Sequence, residues 1–80
     1  MRRINFRTDQ PYVVDALGTD PIGRIYLVPV GVTMAAALDE AREMAILRWP
    51  TYTLADPILW EKAEPAHRLA ALRADRQIFP

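Results

Sequence analysis

The clearest hydrophobic period in this chain runs from Thr33 to Arg48, TMAAALDEAREMAILR. Met34, Ala37, Leu38, Ala41, Met44 and Ala45 fall on one stripe of a 3.6-residue helix, the spacing that buries a single face. Asp39, Glu40, Arg42 and Glu43 lie opposite. Thr33 reads as the N-cap, a hydroxyl acceptor for an orphan amide worth ~1 kcal/mol. Pro50 ends the helix, because the residue before a proline is pushed out of the α region. An alanine-rich inner face lets a second layer approach closely, which suits a helix lying across a sheet. Ile46 and Leu47 point toward the polar side, so the C-terminal segment covers them or they are exposed.

Alternation predicts the remaining elements. Ile4 and Phe6 alternate with Arg3, Asn5 and Arg7, a half-buried N-terminal strand with a basic outer face. Tyr12 to Leu17 is apolar and β-branched enough for a strand, with a short helix capped by Asp9 and closed by Gly18 as the alternative. Arg24 to Pro29 places Ile25 and Leu27 on one face, Tyr26 and Val28 on the other. The turn formers of GTDPIG, residues 18 to 23, join these two runs as a hairpin with a six-residue loop. Pro29 cannot donate to a ladder, so its strand ends there or lies at an edge. Thr51 to Leu54 is a candidate short strand. Asp56-Pro57 reads as the start of a helix running to about Ala63. Pro65 opens another from Ala66 to Asp75, resting mainly on Leu69 and Leu72, with Ile78 and Phe79 as a tail anchor. The expectation is one α+β domain over residues 1–80: a small antiparallel sheet, the N-terminal strand plus the hairpin, packed on one main helix, with short C-terminal helices.

Composition narrows the chemistry. Eighty residues, 51% of them hydrophobic, sustain one modest core. There is no cysteine, hence no disulfide framework and no thiolate zinc site. Serine is absent too, which leaves threonine, lysine, tyrosine or a carboxylate as nucleophile. The one histidine, His67, is expected to be solvated near a helix start, with Glu64 its only nearby orienting group. Asp39 and Glu43 stand one helical turn apart, but a hard cation wants more oxygens than two carboxylates supply. Gly18, Gly23 and Gly31 match no phosphate loop. These readings point away from an enzyme, a cofactor or a bound metal. The opening RRINF looks like a twin-arginine export signal, yet Thr8, Asp9, Gln10 and Pro11 interrupt the apolar run that must follow. No run approaches the ~20 apolar residues of a membrane span, and a cytoplasmic protein is expected.

Charge divides the chain although it sums to zero. Residues 1 to 8 carry three arginines and no acid, and residues 9 to 64 carry nine acids against four basic residues. Residues 65 to 80 carry Arg68, Arg73 and Arg76 against Asp75. A protein partner would meet the acidic helix face with Trp49, Tyr52, Trp60 and Tyr26 as anchors, since tryptophan, tyrosine and arginine dominate interface energetics. A nucleic acid would meet Arg2, Arg3, Arg7, Arg68, Arg73 and Arg76. Against that stands a pI near 6.6, far below the basic values of such domains. A third possibility is a small homo-oligomer joined through Ile46, Leu47, Trp49 and Trp60.

In layout the chain resembles the small accessory proteins of phages and mobile elements, type I anti-CRISPR proteins in particular. The hairpin YVVDALGTDPIGRIYLVPV is followed by TMAAALDEAREMA as a helix packed on it, in a cysteine-free chain of about this size. The resemblance spans about half the chain, contains no diagnostic motif and carries over no functional residue. It implies a non-enzymatic inhibitor that binds a Cas subunit of the type I surveillance complex (Cascade) in a bacterial host and blocks target DNA. An acidic surface made by Asp39, Glu40 and Glu43, with Asp15 and Asp20 on the adjacent hairpin, would then occupy a positively charged DNA channel.

Overall fold

In the computed structural model, which describes residues 8–77, the apolar run after Pro11 is the middle of the molecule. β1 (Gln10–Thr19) and β2 (Ile25–Ala35) form an antiparallel hairpin, and β3 (Ile58–Leu59) pairs with the other side of β1, giving the order β2-β1-β3. α1 (Leu38–Arg48) and α2 (Pro65–Gln77) complete the fold. The class is α+β, as expected, and among the described residues the third strand of the sheet comes from Ile58–Leu59. The strand predicted around Ile4 and Phe6 lies outside the described residues, as does the tail anchor at Ile78 and Phe79.

Successive residues of a strand point to opposite faces, and β1 uses both. Tyr12 and Val14 pack with Ala35, Ala41, Ala45 and Trp49, the α1 side. Val13 packs with Ala71 and Ala63, the α2 side. The helices therefore cover opposite faces of the sheet. Four consecutive residues, Tyr12 to Asp15, are buried, the near-continuous apolar signature of a strand covered on both sides. Asp15 is the exception. It is fully buried, and its Oδ1 lies 2.6 Å from Nε2 of His67. This corrects two expectations: Asp15 is no surface acid, and His67 is not a solvated imidazole paired with Glu64. The two residues are 52 positions apart. Asp15 Oδ2 has no partner among the described residues.

β2 is longer than its pattern predicts. It continues past Pro29 to Ala35, and Thr33, read as a helix cap, is a buried strand residue opposite Tyr12. The physical reason is pairing: the first half of β1, Gln10 to Val14, needs a ladder partner, and Gly31 to Ala35, with the β-branched Val32 and Thr33 among them, supply it. α1 consequently starts at Leu38, with Ala37 as an N-cap that has no side-chain acceptor. Pro29 is tolerated inside the strand for a geometric reason. The polar groups of Asp15 and Leu17 face away from β2, since Ala55 N donates to Asp15 O and Leu17 N to Thr53 O. Their partners Pro29 and Leu27 accordingly face the open edge, where a missing N–H breaks no ladder bond. A bulge follows, with Val30 inserted between the pairs Asp15–Pro29 and Val14–Gly31.

The hairpin connection is also shorter than the six residues expected. Gly18 and Thr19 belong to β1, and Asp20-Pro21-Ile22-Gly23 is a β-turn closed by Gly23 N donating to Asp20 O, with aspartate and proline at their favoured first two positions. Beyond α1, the helix predicted from Pro57 to Ala63 is instead β3 followed by a 3-10 turn, Trp60–Lys62. The free edge of β1 decides this: Leu54 bridges Ala16, Ile58 pairs with Val13 and Leu59 with Tyr12. Pro65 does open a helix, at the predicted place. That helix rests on Ala71, not on Leu69 and Leu72, which are 48% and 37% exposed. Alanine brings the helix axis close to the sheet and leaves both leucines outside.

One ion pair closes the structure at its edge. Asp75 Oδ2 accepts from Val32 N at 3.1 Å, Arg48 Nη1 donates to Val32 O at 2.9 Å, and the Arg48 guanidinium pairs with Asp75. Both free backbone groups of Val32 are thus satisfied by the two helices, a side-chain substitute for a neighbouring strand.

Two outcomes follow for stability. His67→Ala leaves a buried carboxyl without a partner at either oxygen and lowers unfolding free energy by about 3 kcal/mol in urea titration, while Asp15→Leu/His67→Leu regains most of it. A Cβ at Gly31 would stand 2.6 Å from Cζ2 of the buried Trp49, whereas one at Gly18 meets the ring of the half-exposed Tyr26 at 2.7 Å. Gly31→Ala therefore costs about 2 kcal/mol, and Gly18→Ala, where the ring swings into solvent, about 0.5 kcal/mol or less.

Candidate partner-binding surface

The inner face of α1 is built from Ala41 and Ala45, both buried. At 100° per residue the opposite side carries Asp39, Glu43, Ile46 and Leu47. Ile46 is 60% and Leu47 78% exposed. The C-terminal segment does not cover them. One helix thus presents two carboxylates over its first turns and two large aliphatic side chains over its last.

Beside the aliphatic end lies a cleft of about 280 Å³, lined among others by Arg42, Ile46, Trp49, Pro50, Tyr52 and Pro57. Proline after the helix, and the turn in which Tyr52 N donates to Trp49 O, carry the chain away from α1 before Leu54 rejoins the sheet. The gap between is the cleft. Arg42 flanks it, donating from Nε and Nη2 to the two carboxylate oxygens of Asp56 at 2.9 and 2.8 Å. That fork holds the Asp56 carboxyl below its usual range and raises Arg42, in each case chiefly through the hydrogen bonds between them. Tyr52 stands 53% exposed at the side.

The other predicted site residues are dispersed. Glu40 is half-buried, and its Oε1 accepts from Ala36 N at 3.4 Å, reaching back over the helix start. Asp15 is in the core. Asp20 sits in the hairpin turn, separated from the start of α1 by the length of β1, roughly 30 Å at ~3.3 Å per residue. The acidic constellation is therefore not one surface: Asp39 and Glu43 share a face, and Asp20 is at the far end. Trp49 is a core residue at 5% exposure, its ring under the Arg48 guanidinium at 4.5 Å. Trp60 is half-buried against Val13 and Ala63, with Arg68 over it at 5.6 Å.

Of the arginine patch, Arg2, Arg3 and Arg7 lie outside the described residues. Arg68 donates to the carbonyls of Trp60 and Glu61 at 2.7 and 3.0 Å, fastening α2 to the preceding turn. Arg73 and Arg76 are exposed on α2. Among the described residues, no three His, Asp or Glu side chains gather as a metal set, and no helix is long and apolar enough to cross a membrane.

Sequence reasoning missed how much apolar surface the hairpin exposes. Leu17, Ile22, Ile25, Tyr26, Leu27 and Val28 are 40 to 75% exposed. The available signal was length: the ribbon outruns the helices meant to cover it. Compared with known proteins, the chain matches no family, no curated protein and no solved structure.

Asp20 supplies a pH dependence. Its carboxyl is held below the ordinary 3.8, foremost by the N–H of Arg24, with partial burial opposing. A depressed folded value means the turn is stabilised above pH 3.8 and loses that support as pH falls through the lower folded value. The amide resonances of Ile22 and Arg24, whose N–H groups bond Asp20 Oδ1 at 3.1 and 2.8 Å, should shift with a midpoint below 3.8. A midpoint at or above 3.8 would contradict this.

Proposed function

We propose that the protein is a non-enzymatic inhibitor that docks onto a partner protein through the outward face of α1. The observation that carries this reading is the joint exposure of Ile46 and Leu47 on the same side as Asp39 and Glu43. An aliphatic pair of that size, left in water beside an aromatic cleft, marks an interaction site. The two carboxylates select a partner with basic groups flanking an apolar patch, and charge complementarity of this kind sets register and encounter rate. The reading is supported further by where the larger side chains are. No leucine or isoleucine among the described residues is fully buried; the core is valine, alanine, tyrosine and tryptophan. His67, the only imidazole in the chain, commits Nε2 to a core carboxylate, which suits a structural duty.

The resemblance to type I anti-CRISPR proteins names the partner to try first. A Cas subunit lining the DNA channel of Cascade offers basic surface, and occupation of that channel would exclude target DNA. The test is a pull-down with purified type I Cascade, followed by target-DNA binding on the complex. Stable capture with lost DNA engagement is expected. Ile46→Ala/Leu47→Ala should weaken capture at least tenfold, since each anchor of this kind is worth ~1 kcal/mol or more, with the circular dichroism spectrum unchanged. Asp39→Lys/Glu43→Lys should weaken it and change its salt dependence. Capture unaffected by both pairs would overturn the α1 face, and absence of capture would overturn Cascade as partner.

A further inference from the structure

The open edge of β2 is treated unequally along its length. In its proximal half, Pro29 offers no N–H, and Arg48 and Asp75 occupy both polar groups of Val32. In its distal half nothing comparable stands among the described residues. Ile25 and Leu27 pair with Thr19 and Leu17 of β1, positions whose polar groups face away from β2, so their own N–H and C=O point outward from the sheet. The side chains there are Ile25, Tyr26, Leu27 and Val28, 73%, 49%, 49% and 40% exposed, with no charge among them. A bare apolar edge of this kind is a template for a further strand.

We propose that this edge pairs with the same segment of a second copy, antiparallel and centred on Tyr26. The segment is self-complementary. Outward-facing residues meet as hydrogen-bonded pairs in an antiparallel ladder, so Ile25 meets Leu27 of the second copy and Leu27 meets Ile25, four N–H···O bonds about a two-fold axis. Tyr26 meets its own copy between them. The next outward position is Pro29, opposite Gly23 in the turn, where the ladder ends at both sides alike. On the α2 side the pairing aligns Leu17 and Leu27 with the neighbour's Ile25; on the other side Tyr26 stacks on Tyr26. Arg24, the nearest charge, is tied to its own Asp20 at 2.8 Å, so no like charges are forced together. Val30 is the β2 residue nearest the turn that joins a core cluster, and among the described residues none of those clusters includes Ile25 to Val28. A two-fold isologous contact is also the commonest way a small chain self-associates. This surface is separate from the α1 face.

The experiment is sedimentation equilibrium over a concentration series, with a cross-linking register check. The wild-type mass should rise with concentration from 9.1 kDa toward twice that value. Leu27→Lys, which places a charge on the edge, should remain monomeric with an unchanged circular dichroism spectrum, and Ile46→Ala/Leu47→Ala should still dimerise. Because the chain has no cysteine, Tyr26→Cys reports the register directly. Opposed non-hydrogen-bonded pairs have Cα atoms ~4.5 Å apart, within disulfide reach, so mild oxidation should link Tyr26→Cys chains and not Val28→Cys chains. A monomer at every concentration would overturn the proposal, as would a dimer that survives Leu27→Lys or cross-links equally at both positions. A capture failure with Cascade would leave this result untouched.

Discussion

Burial of β1 on both faces is the constraint from which the remaining structure follows. A sheet of three strands has one strand with neighbours on both edges, and here that strand is also covered by a helix above and another below. Its four central residues must then be apolar or internally satisfied. Three are Tyr12, Val13 and Val14; the fourth is Asp15, satisfied at Oδ1 by His67 from α2 and without a partner at Oδ2 among the described residues. A buried carboxyl in the central strand makes the docking of α2 specific, because a shift of that helix by one turn would separate the pair. Arg48 and Asp75 then tie the end of α1 to α2 across Val32. The two helical layers, which share little direct contact, are registered through the strands they cover.

Local signals were legible where one interaction decided the conformation. Asp20, Pro21 and Gly23 made the turn, Pro65 began α2, and the alternation of Ile25 to Val28 gave β2 its start. The hairpin and the α+β class came from these. Where two signals competed, the nonlocal one prevailed. The stripe through Met34 and Ala37 is a valid helical period, but the same stretch carries Val30, Val32 and Thr33, and pairing with Gln10 to Val14 is a tertiary demand that no window around Thr33 contains. Asp56-Pro57 has the form of a helix start, yet the vacant edge of β1 captured Ile58 and Leu59. His67 and Asp15 stood too far apart in sequence for any spacing rule. The one visible hint was the acid itself, set inside VVDAL where an alternating strand has no use for it.

The candidate surfaces were legible to different degrees for the same reason. Ile46 and Leu47 fell off the apolar stripe of α1 in sequence, and they are exposed in the fold. The spacing of one helix sufficed. The acidic constellation failed because it joined residues of two elements, and the hairpin carries Asp20 to the opposite end from α1 while turning Asp15 inward. Trp49 failed as an anchor because Gly31 makes room beneath it: the ring lies where a side chain at that position would be.

The choice of small residues for the core explains why so much large apolar surface remains outside. Alanine at positions 41, 45 and 71 brings both helices close to the sheet, and close approach leaves little depth between the layers for larger side chains. Leu38, Leu54, Ile58 and Leu59 pack half-buried at the margins of the core, and the most exposed leucines and isoleucines lie on the helix exteriors and on the ribbon beyond the helices. A chain selected for stability alone would gain by exchanging these positions, burying leucine at ~25 cal/mol per Å² and exposing alanine. The arrangement found here gives up that stabilisation at the end of α1 and along distal β2. At the second of these places the contrast is internal: the same edge that is closed by proline and an ion pair near Val32 is left apolar, and unpaired among the described residues, at Ile25 and Leu27. Had aggregation been the only pressure, one lysine would have sufficed there. An edge left bare beside an edge closed in this way is the surface that the proposed pairing with a second copy would use.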